Sequence, residues 1–379
     1  MAAMHVAQLN FLPAPRGLGI EVLLERWPSL ADIAEVVAGS GIRVSVLQAA
    51  SHEERLVRNG VDYRFVDVSR ASGVASRGRC FAKVLAGMDV DLLHAHGLGF
   101  IEDASAVAGL PVPTWPVLVQ DHADRLPRWW RRRRHRDRFA VASGIAFTCV
   151  EQAQPFVEAG MFRRWTQLFA IPESSSRFTP GDRVRARTGT GLYGDPCMLW
   201  VGRLTRGKDP LTVLEGVARA ASRMPDPHLW CAFGTAPMLA EVRARIDGDP
   251  RLAGRVHLLG RVPHAQIETL LRASDLFVSG SRAEGSGYAA IEAIACGIVP
   301  VLTDIPAFHA LTGGGRIGYL WPCGGAQQLA DALLLASTER TSPEQVRARF
   351  DSTLSFDAVG RLWASAYSQM IEDGHRRVA

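Results

Sequence analysis

Short apolar stretches rich in β-branched residues recur through the first half of the chain: HVAQLNF, RVSVLQ, YRFVDV, DLLHAH, PVLVQDH and GIAFTCV. Longer amphipathic stretches separate them, and strands alternating with helix-length segments predict parallel βαβ units. The rhythm breaks at residues 171–190, IPESSSRFTPGDRVRARTGT, where Pro, Gly, Ser and Thr accumulate without periodicity. That stretch is the expected linker.

A second series runs through CMLWVGR, HLWCAFG, RVHLLGRV, DLFVSG and GIVPVLTD, with the helical stretches LTVLEGVARAASRM and HAQIETLLRA between them. The chain then closes on FDAVGRLWASAYSQMIEDG, whose apolar residues recur at helical spacing, and no strand is expected after it. The expected fold is α/β, with two Rossmann-like domains facing a central cleft. The expected boundaries are 1–175 for an N-terminal domain and 176–355 for a C-terminal domain, with the helix 356–379 packing back on the N-terminal domain.

The length of 379 residues agrees with two cores rather than one. A hydrophobic content of 47% with 21% charged residues excludes a disordered chain. MAAMHVAQLN has no basic region followed by an apolar stretch, and no apolar run approaches a membrane span, so the chain reads as cytoplasmic. Six scattered cysteines without a CxxC pair suit reduced, buried thiols rather than disulfides or zinc.

Charge alters this picture at one place. Residues 125–138, RLPRWWRRRRHRDR, hold eight arginines against one aspartate, a local excess that exceeds the net +5 of the whole chain. Trp129 and Trp130 beside Arg131 to Arg134 suit an interfacial helix, with rings at headgroup level and guanidinium groups on anionic lipid. The alternative is a solvated helix face with the tryptophans packed on the sheet. Nucleic acid is not the expected partner, since one basic stretch without a recognised module is weak support.

The segments that carry chemistry follow strands, where open parallel sheets bind ligands. In SRAEGSGYAAIEAIACGIVP, Gly285 and Gly287 flank Ser286 at a strand-to-helix turn, so backbone N–H groups can approach an anion at a helix N-terminus. Glu292 lies about one and a half turns into that helix, where a carboxylate can accept from both hydroxyls of a ribose. In WVGRLTRGKDP, Arg203 follows the strand and Lys208 stands at the expected helix start. Cations there oppose the helix dipole and suggest a bound polyanion, a diphosphate, with a solvated basic turn as the alternative.

These stretches resemble the retaining glycosyltransferases of family four, which have the two-Rossmann GT-B fold. The matching features are WVGRL with Lys208 five residues after Arg203, RASDLFVSGSRAEGSGYAAIEAIACGIVPV with an E-x7-E pair as Glu284 and Glu292, and IPESSSRFTP. The match is dense from about residue 145 to 335 and thins toward the N-terminus.

The resemblance implies transfer of a hexosyl unit from a UDP- or GDP-sugar to a hydroxyl acceptor, a glycan, a lipid-linked glycan or a small molecule, with retained configuration. Arg203 and Lys208 would hold the diphosphate, Glu292 the ribose and Glu284 the donor sugar. Ser286, Gly287 and Tyr288 would give backbone contacts, and Val262 would pack the base. On the N-terminal side, FLPAPRGLG stands for the family's glycine-rich loop, with Gly17 and Gly19 separated by Leu18 rather than adjacent, and His122 stands for its histidine near the reacting centre. The nucleotide-diphosphate sugar is a co-substrate, and neither a cofactor nor a metal is implied. The rivals are a sugar-nucleotide hydrolase or phosphorylase-like enzyme on the same fold, and a silent scaffold at the inner membrane face.

Other patterns read as structural. His94 and His96 project to one side of a strand with no third ligand at zinc spacing. Asp89-Val-Asp91 and Asp247-Gly248-Asp249 spell a DxD metal motif, the first leading into a strand and the second in a turn.

Overall fold

The computed structural model describes residues 3–109, 115–339 and 341–378. The chain divides into two compact units, one formed by Met1–Ser174 with Phe356–Ala379 and the other by Ser175–Ser355.

The first unit is built on an eight-stranded sheet. Its strands are β1 (His5–Asn10), β2 (Arg43–Ala50), β3 (Glu54–Arg58), β4 (Val61–Asp67), β5 (Leu92–His96), β6 (Val117–Gln120), β7 (Ala142–Phe147) and β8 (Gln167–Ala170). They lie in the order β3-β4-β2-β1-β5-β6-β7-β8, so the winding reverses between β1 and β5. All pairs are parallel except β3 with β4, which form a hairpin with Arg58 opposite Val61. The central strands read as unbroken apolar runs because helices cover both faces. In β2 every residue after Arg43 is buried.

The helix Phe356–Val378 belongs to this unit. Val359, Trp363, Ala366 and Tyr367 enter the same apolar core as Ile33, Ala34 and Val37 of the helix Pro28–Gly39.

The second unit carries a six-stranded, fully parallel sheet. Its strands are β9 (Cys197–Gly202), β10 (His228–Phe233), β11 (Val256–Gly260), β12 (Leu276–Ser279), β13 (Val299–Thr303) and β14 (Tyr319–Trp321). The order β11-β10-β9-β12-β13-β14 reverses between β9 and β12. Two Rossmann-like α/β sheets are thus present, as the strand rhythm implies.

Three expectations need correction. Residues 171–190 are not linker throughout, because Arg183–Thr190 form a helix in the second unit. Asp182 caps its N-terminus by accepting from Arg185 N, Gly191 ends it in the left-handed conformation, and Arg183 and Arg187 both bind Asp275. A basic, Gly- and Thr-bearing sequence carries no apolar periodicity to announce such a helix. Its caps and a distant aspartate make it.

Secondly, β3, β8 and β14 are strands the apolar runs do not reveal. They are short or alternately exposed, with β3 and β8 at the sheet's edges. The hairpin of β3 did carry a local signal in Asn59-Gly60, both at positive φ (48° and 79°), which fits a two-residue turn. Thirdly, 125–138 is not one helix. A 3-10 turn, Trp129–Arg131, precedes a helix of eight residues, Arg132–Phe139.

Candidate functional site

In the second unit, β9 and β12 are neighbours at the reversal of strand order, and the segments following them meet. This is where ligands bind in open α/β sheets. Gly280, just past β12, makes the approach possible. A Cβ there would lie 2.7 Å from Val213 Cγ2, 3.1 Å from Asp209 O and 3.2 Å from Lys208 O. The backbone of Arg282 donates to Gly207 O (2.9 Å), and its guanidinium pairs with Asp209 Oδ2 (2.6 Å). That pair helps to hold Asp209 at φ 44°, a left-handed conformation costly for a residue with a Cβ.

Lys208 ends a 3-10 turn, Arg206–Lys208, and the helix begins only at Pro210, so its expected place at a helix start is corrected by two residues. Asp209 between them is the break. The Lys208 ammonium is ion-paired with Glu284 Oε1, to which Ser281 Oγ also donates at 2.7 Å. The loop's cation and its carboxylate are therefore a mutually oriented pair. Arg203 is exposed and, among the described residues, forms no ion pair.

Beyond the pair, Gly287 caps the helix Tyr288–Ala295 at φ 70°, with a Cβ position only 3.0 Å from Phe308 Cε1. Ser286 is buried and Tyr288 exposed. Glu292 lies one turn inside the helix, where burial pushes its carboxyl up against the opposing pull of His264. His264 Nε2 lies 2.6 Å from Glu292 Oε1, and the imidazole stacks on Phe178. Val262 is half-buried against the core, two residues past β11. His264 is the residue sequence reasoning missed, although GRVPH places it two positions after Val262.

In the first unit, Gly17 adopts φ 76°, which favours glycine, while Gly19 caps the helix Ile20–Arg26 in an extended conformation. The first helical N–H, of Ile20, donates to Glu54 Oε1 at 3.0 Å, and His52 lies 3.1 Å from Glu54 Oε2. A carboxylate of the chain itself thus answers this helix start.

His122 follows β6. Its Nδ1 lies 2.5 Å from Glu173 Oε1, and its Nε2 3.2 Å from His96 Nδ1. Burial tends to lower the His122 pKa, but the Glu173 hydrogen bond and charge, with Asp124 and Asp121, outweigh it and raise it. The His94 and His96 rings stack at 4.4 Å, and His94 Nδ1 lies 2.8 Å from the Tyr367 hydroxyl. Burial first, then the charge of His122, pushes His94 down to about 3. A neutral His94 in the middle of β5 is thus linked through the stacked ring of His96 to a readily protonated His122 just past β6.

One aspartate of each DxD motif has a structural partner for its carboxylate. Asp91 Oδ2 accepts from His5 N and Asp89 O lies against His5 Nδ1, while Asp249 binds Arg245 and Arg251. Among the described residues, no group of three or more His, Cys, Asp or Glu side chains is arranged to hold a metal ion.

Residues 186–351 match the family described as "Glycosyl transferases group 1". A D-inositol 3-phosphate glycosyltransferase of Mycobacterium tuberculosis is 30% identical over 206 residues, 51% of this chain and 42% of its own length. The match therefore spans less than half the length of such curated relatives.

Among solved structures, a glycosyltransferase from Rickettsia africae superposes with a TM-score of 0.76 at 12% identity, over 98% of this chain and 99% of its own. An Anabaena protein in complex with UDP and glucose gives 0.67 at 18% identity, over 96% and 99%. Sucrose-phosphate synthase from Thermosynechococcus elongatus gives 0.69 at 17% identity, over 98% and 100%. Residues 186–351 are thus similar to the group 1 glycosyl transferases, and the fold is that of the GT-B glycosyltransferases.

Proposed function

We propose that the protein is a glycosyltransferase that moves a hexosyl unit from a UDP- or GDP-sugar to a hydroxyl acceptor with retained anomeric configuration. The observation that carries this reading is the oriented Lys208–Glu284 pair at the β9/β12 reversal, one short loop away from the helix N-terminus at Gly287. It supplies a cation for the diphosphate, a carboxylate for sugar hydroxyls and backbone N–H groups for phosphate oxygens.

In this reading the bond from the anomeric carbon to the diphosphate oxygen breaks as the acceptor oxygen bonds to the same carbon. The departing phosphate takes the acceptor's proton. Lys208 and Arg203 stabilise the charge growing on the leaving oxygen, which is electrostatic preorganisation and requires neither a cofactor nor a metal ion. Glu292, oriented by His264, accepts from the ribose hydroxyls. Val262 packs the base, and Ser286, Gly287 and Tyr288 line the phosphate and sugar through their backbones. His122, with Gly17 and Gly19, serves the acceptor side. Glu173 holds the proton on His122 Nδ1, and Nε2, which meets His96 Nδ1 in this structure, exchanges that partner for a hydroxyl of the acceptor.

Residues 125–138 bring the enzyme to an anionic membrane surface, which suits a lipid-linked acceptor. The support is exposure: Trp129 and Trp130 are 76% and 56% exposed rather than packed on the sheet. No helix among the described residues is long and apolar enough to cross a membrane.

Labelled UDP- and GDP-sugars, incubated with and without candidate acceptors, test the reaction. Label transferred to acceptor with the donor's configuration supports it. Free sugar under all acceptor conditions would assign hydrolysis instead. Thermal shift with UDP, GDP and ADP identifies the base, since a ligand at about 100 times its Kd adds about 2.7 kcal/mol of stability.

A further inference from the structure

A cavity of about 270 Å³ opens in the first unit beneath the arginine-rich segment. Its floor is apolar, formed by Leu98, Phe139 and Phe156, all buried. Its rim is cationic, formed by Arg125, Arg128 and Arg131, all exposed.

Six of the eight arginines of this segment fall into two groups. Arg132 donates to Pro127 O, Arg136 to Ala159 O, and Arg134 pairs with Glu102, so these three support the local fold. Arg125, Arg128 and Arg131 form no ion pair among the described residues. Arg128 is instead placed over the Trp130 ring, 5.3 Å from its centroid. The one acidic residue of the lining, Asp124, is engaged by the N–H groups of Leu98 and Gly99. Burial lowers the pKa of His135, so it adds no charge near neutrality. Three guanidinium groups outside any ion pair, against the single Asp124 carboxylate, leave a net positive rim around an apolar floor, a site for an anion carried on an apolar stem.

We infer that this cavity binds the phosphate of an anionic membrane lipid, with Arg125, Arg128 and Arg131 on the phosphate oxygens and the first carbons of the lipid against Leu98, Phe139 and Phe156. Guanidinium groups match phosphate oxygens through paired N–H donors. The exposed Trp129 and Trp130 decide for a lipid over a soluble phosphate ester, because indole rings settle at the headgroup boundary. The inference rests on the membrane reading given above and sharpens it from a diffuse basic surface to a built site. All of its residues lie in the first unit, whereas the nucleotide-sugar residues lie in the second.

The test uses the full chain with vesicles of phosphatidylcholine and phosphatidylglycerol in equal parts. R128S/R131S removes two rim charges, and R133S/R138S removes two exposed charges that do not line the cavity. The rim variant should lose about tenfold more affinity, a difference of about 1.4 kcal/mol. Short-chain, monomeric phosphatidylglycerol should displace the parent protein from vesicles, a result that needs no variant and is independent of its folding. Glycerol 3-phosphate at the same concentration should not displace it. Equal losses in the two variants would overturn the cavity site and leave the diffuse membrane reading standing. Failure of the parent to bind vesicles would overturn both. Displacement by glycerol 3-phosphate as effective as by the short-chain lipid would overturn the lipid and assign a soluble phosphate ester.

Discussion

The imidazole of His264 lies 2.6 Å from the carboxylate of Glu292, and the two come from different strand-to-helix segments of one sheet. The pairing settles how Glu292 is presented. Burial makes its charged form costly, and His264 recovers only part of that cost, so the carboxyl titrates above its usual range. Ribose hydroxyls donate to the charged form and should pull the value back down.

Donor affinity should therefore fall as the pH drops through the raised pKa of Glu292, starting above the ordinary glutamate range. The Kd of the nucleoside diphosphate, followed by calorimetry from neutral to mildly acidic pH, should show the decline in the parent and a flatter profile in Glu292→Gln. That variant should raise KM for the donor more than it lowers kcat, because a ribose contact is made about equally in ground and transition states. A collapse of kcat with normal donor affinity would remove Glu292 from the ribose.

Lys208→Ala should act mainly on turnover. The phosphate charge that Lys208 faces grows as the glycosidic bond breaks, and loss of a comparable oxyanion-stabilising group costs roughly 10² to 10³ in kcat. Affinity for the free diphosphate product should also weaken. The Glu284 carboxylate, deprived of its ion-pair partner, makes Lys208→Arg the informative companion. It should recover product affinity in part, since the charge remains and only its geometry changes. Parental turnover in Lys208→Ala would exclude the assigned role.

Acid should destabilise the fold through His94. Its folded-state value of about 3 lies below the unfolded one of about 6.5, so the unfolded chain binds the proton first. The stability contributed by neutral His94 is present above pH ~6.5 and is lost progressively as the pH falls toward ~3. His122, with its raised value, acts in the opposite sense and mainly above pH ~6.5: its stabilisation is complete below the unfolded value and is lost as the pH rises through the folded one. Urea unfolding at a series of pH values should give a shallower decline for His94→Gln than for the parent, on a lower baseline because Gln replaces the imidazole that meets Tyr367. An identical slope would show that His94 does not titrate this way.

Two helical glycines should respond oppositely to alanine. At Gly189, in the helix Arg183–Thr190, a Cβ meets nothing within 4 Å, so Gly189→Ala should stabilise by up to about 1 kcal/mol through helix propensity. At Gly360 the Cβ would lie 2.5 Å from Val36 Cγ1. Overpacking there costs about 1–3 kcal/mol against a gain of about 1, and valine is too stiff to yield cheaply. Gly360→Ala should lower the Tm and Gly189→Ala raise it. A higher Tm for Gly360→Ala would mean that the two helices do not meet this closely.

The period of apolar residues determined that the chain holds two parallel α/β sheets, because strands buried on both faces have to be written as continuous apolar runs. The family-like segments placed Arg203, Lys208, Glu284 and Glu292 after strands for a similar local reason: each lies within a few residues of the strand or turn that positions it. Pairing at a distance was not legible. Nothing near Glu292 in sequence announces His264, and nothing near Lys208 announces that Glu284 shares its proton-donating head, because 28 and 76 residues separate the partners. The helix Arg183–Thr190 exists through its caps and through Asp275, a residue 92 positions from Arg183, so composition alone reads it as a linker. The arginine-rich segment shows the same division. Its charge is written in the sequence, but only the tertiary structure decides which arginines hold the fold and which surround a cavity, since Leu98, Phe139 and Phe156 reach that floor from three separate elements.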